Sequence, residues 1–180
     1  MIERITSNSN PSFISLSYDR TSLTVTDLEL VPKHFFSPTI IERRKPLALH
    51  ARRAGWEGCK IRMDAVPASG RIALISNGIA KAKREVLKAW RSSIFLHGEP
   101  NITSRSWLLA VMMCIERMNK QTFTLADIYA SEDYLSGIFP GNRHVRPKIR
   151  QQLQVLREQG YLNFVGGGVY TRAHGECFPQ

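Results

Sequence analysis

Two stretches of this chain gather the side chains that could do chemistry, and both offer cations rather than nucleophiles. Between Arg43 and Lys60 stand six cations, Arg43, Arg44, Lys45, Arg52, Arg53 and Lys60, against one acid, Glu57. Charges packed that densely repel one another unless an anion neutralises them, and a phosphate backbone is a polyanion suited to such a run. Trp56 lies among them, beside Gly55 and Gly58. Its flat indole can stack on a base or line a pocket, and neighbouring glycines let backbone approach a groove. Buried packing is the commoner role of a lone Trp, and the residue types alone leave both open. In the second stretch Arg143, Arg146, Lys148, Arg150 and Arg157 surround an apolar stripe of Val145, Ile149, Leu153 and Leu156, with Gln151, Gln152 and Gln154 between them. A helix in the major groove presents its first two turns to base edges, where Arg bonds guanine and Gln adenine bidentately while other cations hold phosphates. On that logic Arg146, Lys148 and Gln151 read bases, and Arg143 and Arg150 bind alongside them. An amphipathic helix with a solvated charged face carries the same pattern.

Hydrolysis of a phosphodiester asks for a metal clamp, usually two acidic ligands with a lysine near the attacking water. Glu85 and Lys88 fall on a predicted helix, Asp64 precedes a Pro loop, and no Asp is followed by Glu-x-Lys on an adjacent strand. We therefore expect no catalytic residue and no metal ligand in this chain. His34, His50, His97, His144 and His174 lack metal-ligand spacing, and Cys59, Cys114 and Cys177 are widely spaced and odd in number, which suits reduced thiols. The glycine run at 166–168 is followed by Val169 rather than Lys-Ser, so it is no phosphate loop.

Composition constrains the partner independently. With 25 Lys+Arg against 15 Asp+Glu the formal charge is +10 and the sequence pI about 10.0, which favours a polyanion over an acidic small molecule. A hydrophobic content of 43% permits a core. The longest uninterrupted apolar run, Trp107 to Ile115, is far short of the ~18 residues that span a bilayer, and the first ten residues lack a signal-peptide core, so the expected location is the cytoplasm, without a membrane partner.

The elements that must position these residues fall into two modules. The opening ten residues, with Asn8, Asn10 and Pro11, read as the tail of a helix and a turn. Phe13, Ile14, Leu16 and Tyr18 predict a strand, Asp19 and Arg20 a turn, and Ser22 to Pro32 a second strand, together a hairpin. Lys60 to Met63 and Arg71 to Ser76 predict further short strands, separated by Pro67, Ser69 and Gly70. Ile79, Ala82, Val86 and Trp90 carry helical spacing over Ile79 to Arg91. Strands capped by a helix make residues 1–96 part of an α/β unit. Gly98, Pro100 and Asn101 break both periodicities, and Thr103 or Ser104 can cap the next helix. Over 97–180, Trp107, Leu108, Val111, Met112, Ile115 and Met118 predict one helix, Thr124 starts a shorter one with Leu125, Ile128 and Tyr129, and Pro140 to Asn142 ends it. The basic helix runs from His144 to Gln159, Pro147 being tolerated in its first turn, and stops at Gly160. Tyr161 to Val165 and Val169 to Arg172 are two strands joined by Gly166, Gly167 and Gly168. Two helices, a basic helix and a hairpin form an α+β winged-helix domain.

In order and spacing the runs RRKPL, ARRAGW, GC and GRI between Ile41 and Gly78 resemble the DpnI and Dam-replacing family of type II restriction endonucleases, which cut GATC sites carrying N6-methyladenine. SRSW in the second module and IRQQLQVLR in the basic helix add to the likeness, which covers nearly the whole chain. It implies that residues 1–96 are the C-terminal part of a restriction-endonuclease-like (PD-(D/E)xK) α/β domain. It also implies that Arg52, Arg53 and Trp56 contact the modified site and that the winged helix binds it too. The family's carboxylates, catalytic lysine and zinc cysteines have no counterparts here, nor does the Mg2+ site of its nuclease reaction. The expectation is a chain that binds double-stranded DNA, at methylated GATC, without cutting it. Two alternatives remain at this stage: a winged-helix transcription regulator indifferent to methylation, and a nuclease using Asp64 and Glu85.

Overall fold

The computed structural model describes residues 2–7, 11–98 and 101–173. Asn8, Asn10, Pro100, His174 and Cys177, which enter the sequence reading, lie outside the described residues. The chain divides into two compact units, Met1–Ile102 and Thr103–Gln180.

In the first unit a one-turn helix, α1 (Ile2–Thr6), precedes the expected hairpin of β1 (Phe13–Asp19) and β2 (Thr24–Val31). Its turn is closed by Asp19, whose carboxylate accepts from the Thr21 N–H at 2.8 Å and the Ser22 hydroxyl at 2.7 Å; these bonds, Ser22 foremost, hold its pKa below the usual carboxylate value. Two further segments, β3 (Ile41–Arg43) and β4 (Cys59–Ile61), pair antiparallel as a separate ribbon. The expected strand from Lys60 thus starts one residue earlier and ends at Ile61, and its partner β3 was not foreseen, because three residues carry too little alternation to read. The second expected strand is β5 (Ile72–Ser76).

The helix expected from Ile79 begins later. Asn77 and Gly78 take φ of +50° and +75°, a two-residue turn that sends Ile79 and Ala80 back along β5 as β6 (Ile79–Ala80). Only then does α2 (Lys83–Ser93) start, packing on β5. The four strands form one antiparallel sheet in the order β1-β2-β5-β6, with β1 at its edge exposing Ile14, Leu16 and Tyr18. The core of this unit collects Ile5, Val31, Phe35, Phe36, Ile40, Val66, Ile72 and Leu96. Gly70 is indispensable there, since a Cβ would stand 2.2 Å from the Phe35 ring.

In the second unit α3 (Ile102–Arg117) begins before Thr103 and Ser104, placing both inside its first turn instead of at its cap. The residues from Arg105 to Ile115 are all buried, as a helix apolar around its circumference must be, and Trp107 stacks on Phe139 with ring centroids 4.0 Å apart. A short strand, β7 (Thr122–Thr124), leads into α4 (Leu125–Tyr129). Thr124 caps α4 as expected: its hydroxyl accepts from the Asp127 N–H at 3.2 Å while Asp127 accepts from the Thr124 N–H at 2.7 Å.

The single shorter helix expected next is two, α4 and α5 (Glu132–Ile138), so three helices precede the basic one. At the break Ser131 turns back to the Ile128 carbonyl at 3.0 Å, a tightened turn that ends the α ladder. The basic helix is α6 (Val145–Glu158), and Gly160 at φ +72° stops it. Then β8 (Leu162–Gly166) and β9 (Val169–Arg172) form the expected hairpin, turning through three glycines at positive φ. With β7 they make a three-stranded sheet in the order β7-β9-β8, which completes the element order of a winged helix.

Candidate nucleic-acid interface

The arginine-rich segment is an arm. Beyond the β3–β4 ladder the Arg44 N–H donates to the Gly58 carbonyl at 2.9 Å, the Leu47 N–H to the Trp56 carbonyl at 3.0 Å, and the Gly55 N–H back to the Leu47 carbonyl at 3.0 Å. Residues 41–61 therefore run out and back as one ribbon, with the turn at Ala48 to Ala54. All six cations on it are exposed. Arg43 approaches Glu57 at 4.0 Å, a solvated pair worth at most about 1 kcal/mol. Arg52 and Arg53 form no ion pair with any described residue and stand together near the tip. Trp56 is 54% exposed, which decides against a core role. Gly58, by contrast, does not open the backbone to a groove: it is buried under Trp56, where a Cβ would come within 3.0 Å of the indole.

On α6 the apolar stripe of Val145, Ile149, Leu153 and Leu156 is buried, leaving Arg146, Arg150, Gln151, Gln154 and Arg157 exposed. Gln152 is 3% exposed and belongs to the core side, so it cannot offer its amide to a partner. The first turn holds no acidic residue, and the partial positive charge of a helix N-terminus adds to Arg143, Arg146 and Lys148. The three assigned readers are not independent. Arg146 donates from Nε to Glu132 Oε2 at 2.7 Å and lies over the Tyr129 ring at 5.2 Å. Lys148 Nζ donates to Gln151 Oε1 at 2.8 Å. Arg143, Arg150 and Arg157 form no ion pair with a described residue. Glu132 and Tyr129 were missed from sequence; the one hint was an acid opening the segment before the basic helix.

The hairpin behind α6 is fastened from both sides. The Leu125 N–H donates to the Gly168 carbonyl at 3.0 Å, and the Tyr161 hydroxyl donates to Glu116 Oε1 at 3.0 Å. These bonds tie the hairpin to α3 and to the start of α4.

Nothing comparable gathers around the acids. Asp64 is held by Arg62 at 2.6 Å, Glu85 sits in the first turn of α2, and among the described residues no group of three or more His, Cys, Asp or Glu could hold a metal ion. Among the described residues no such cluster fits a Mg2+ clamp, and no hydrolytic step follows from them. Of the two described cysteines Cys59 is exposed and Cys114 buried, burial raising the Cys114 thiol pKa; both are free. No described helix is long and apolar enough to cross a membrane.

Three helices, a basic helix and a glycine-turned hairpin define the helix-turn-helix class of DNA-binding architectures. The chain belongs to the Dam-replacing family: residues 1–99 match the DpnI family of that description, and residues 103–172 match its Dam-replacing HTH domain.

Proposed function

We propose that this protein binds double-stranded DNA at GATC sites carrying N6-methyladenine, through α6 of its helix-turn-helix domain and the basic arm of its first unit. The observation that carries the reading is the face of α6, where Arg146, Arg150 and Gln151 project from an acid-free first two turns in the position of a recognition helix. Arg143 and Lys148 join them, both toward phosphate. Arg52, Arg53 and Trp56 give the arm a DNA-facing surface of its own, the exposed indole forming one wall against the adenine methyl group. Membership of the Dam-replacing family supports this assignment. It also supports reading the first unit as part of a restriction-endonuclease-like domain, and we take the protein to work in the cytoplasm. Cutting is not assigned to these residues, since Mg2+-dependent hydrolysis needs carboxylates they do not bring together.

The test is a gel shift of methylated and unmodified GATC duplexes, with and without Mg2+. Tighter binding to the methylated duplex and no cleavage is the expected result. Equal binding to both would favour a transcription regulator indifferent to methylation, and Mg2+-dependent cleavage of the methylated duplex would favour a nuclease using Asp64 and Glu85.

A further inference from the structure

The basic arm ends in apolar side chains that phosphate contacts do not use. Leu49 is 94% exposed, Leu47 and Pro46 are exposed beside it, and no core of the first unit reaches them. Scattered exposed leucines need no explanation, but these stand together at the end of a hydrogen-bonded ribbon. The paired bonds between Leu47 and Gly55–Trp56 carry the ribbon up to its last turn, so the tip lies at the end of a hydrogen-bonded pair of limbs. Arg44, Lys45, Arg52 and Arg53 lie on the arm, on either side of Leu49 in the chain, all exposed. Trp56 cannot serve as the leading group, because its indole is laid over Gly58.

A cationic arm with an apolar tip suits a surface that is anionic outside and apolar within. A stacked duplex is such a surface, and apolar side chains driven between base steps are a recurrent way of kinking it. We infer that Leu49, backed by Leu47, enters a base step of duplex DNA as a wedge while Arg44, Lys45, Arg52 and Arg53 hold the flanking phosphates. This rests on the DNA-binding reading and deepens it: the arm deforms the duplex as well as touching it. Unstacking is cheapest at pyrimidine–purine steps, so those are the preferred points of entry.

The experiment uses the full chain and short methylated GATC duplexes carrying 2-aminopurine at successive positions flanking the site. Binding should raise the fluorescence at one step, reporting lost stacking. Leu49→Ala should abolish that rise while weakening binding by about tenfold or less, since lost burial is partly offset by unstacking no longer required. The salt dependence should match that of the unsubstituted chain, every cation being retained. Leu49→Phe should restore the rise. A bound duplex with no rise at any position, or a rise that survives Leu49→Ala, would overturn the wedge and leave DNA binding intact. Failure to bind any duplex would remove both. Binding to phosphatidylglycerol vesicles in preference to duplex, lost on Leu49→Ala, would assign the tip to a lipid surface and overturn the inference.

Discussion

On α6, Arg146 is drawn in two directions, toward Glu132 at 2.7 Å with the Tyr129 ring beneath it, and toward whatever acceptor the helix meets. A guanidinium held through Nε is oriented in advance, which lowers the entropy lost when it bonds a base. Arg146→Ala should therefore weaken binding and erase the site preference, as read from competition between specific and random duplexes. Lys148→Ala should weaken all sequences more uniformly, and equal losses in the two variants would contradict the division of roles. Glu132→Gln removes an anion from the interface and should tighten binding to random duplex by roughly two- to fivefold, the scale of a solvated ion pair. The sequence pointed to Arg146 through helical spacing. It could not show Glu132, because a partner 14 residues away depends on how the helices pack. Gln152 was legible in principle: it stands seven residues after Val145, on the buried stripe, and was misread only because it is polar.

The capping arrangement at α4 makes a pH prediction. Asp127 accepts from Lys120 Nζ at 2.7 Å and from both the backbone and the hydroxyl of Thr124, and these bonds, Lys120 foremost, hold its carboxyl far below the usual carboxylate range. A carboxylate whose pKa is depressed by folding contributes stability above its unfolded pKa and loses it as pH falls toward the folded value. Asp127→Asn should lower the melting temperature at neutral pH, with the gap to the unsubstituted chain narrowing progressively below about pH 4. A gap that did not change with pH would mean the carboxylate charge is immaterial. In the first unit, Gly70→Ala forces a methyl group into the Phe35 ring and should cost roughly 1–3 kcal/mol in denaturant unfolding, the range for overpacked cores. Among the elements, β1, β2, β5, α3, α6 and the glycine hairpin were legible because each combines a sustained period with a turn signal. The helix begins later than the spacing of Ile79 and Ala82 indicates, because the Asn77-Gly78 turn is the stronger local constraint.

Across the whole molecule a formal charge of +10 is divided between two units, each exposing a cationic surface. If about five cations neutralise phosphates, log affinity should fall against log salt with a slope near ~4.5, and a slope near zero would remove the DNA reading. The sequence by itself determined which residue types are available, the absence of a recognisable nuclease motif, and the succession of basic helix and glycine-turned hairpin in the second unit, because charge and periodicity are local properties of the chain. Only the tertiary structure decided that residues 41–61 form a ribbon with Trp56 outside the core, that Gly58 serves the indole, and that Arg146 is tethered to Glu132. Each of those outcomes depends on contacts between residues distant along the chain, and neither propensity nor composition carries information about which distant groups will meet.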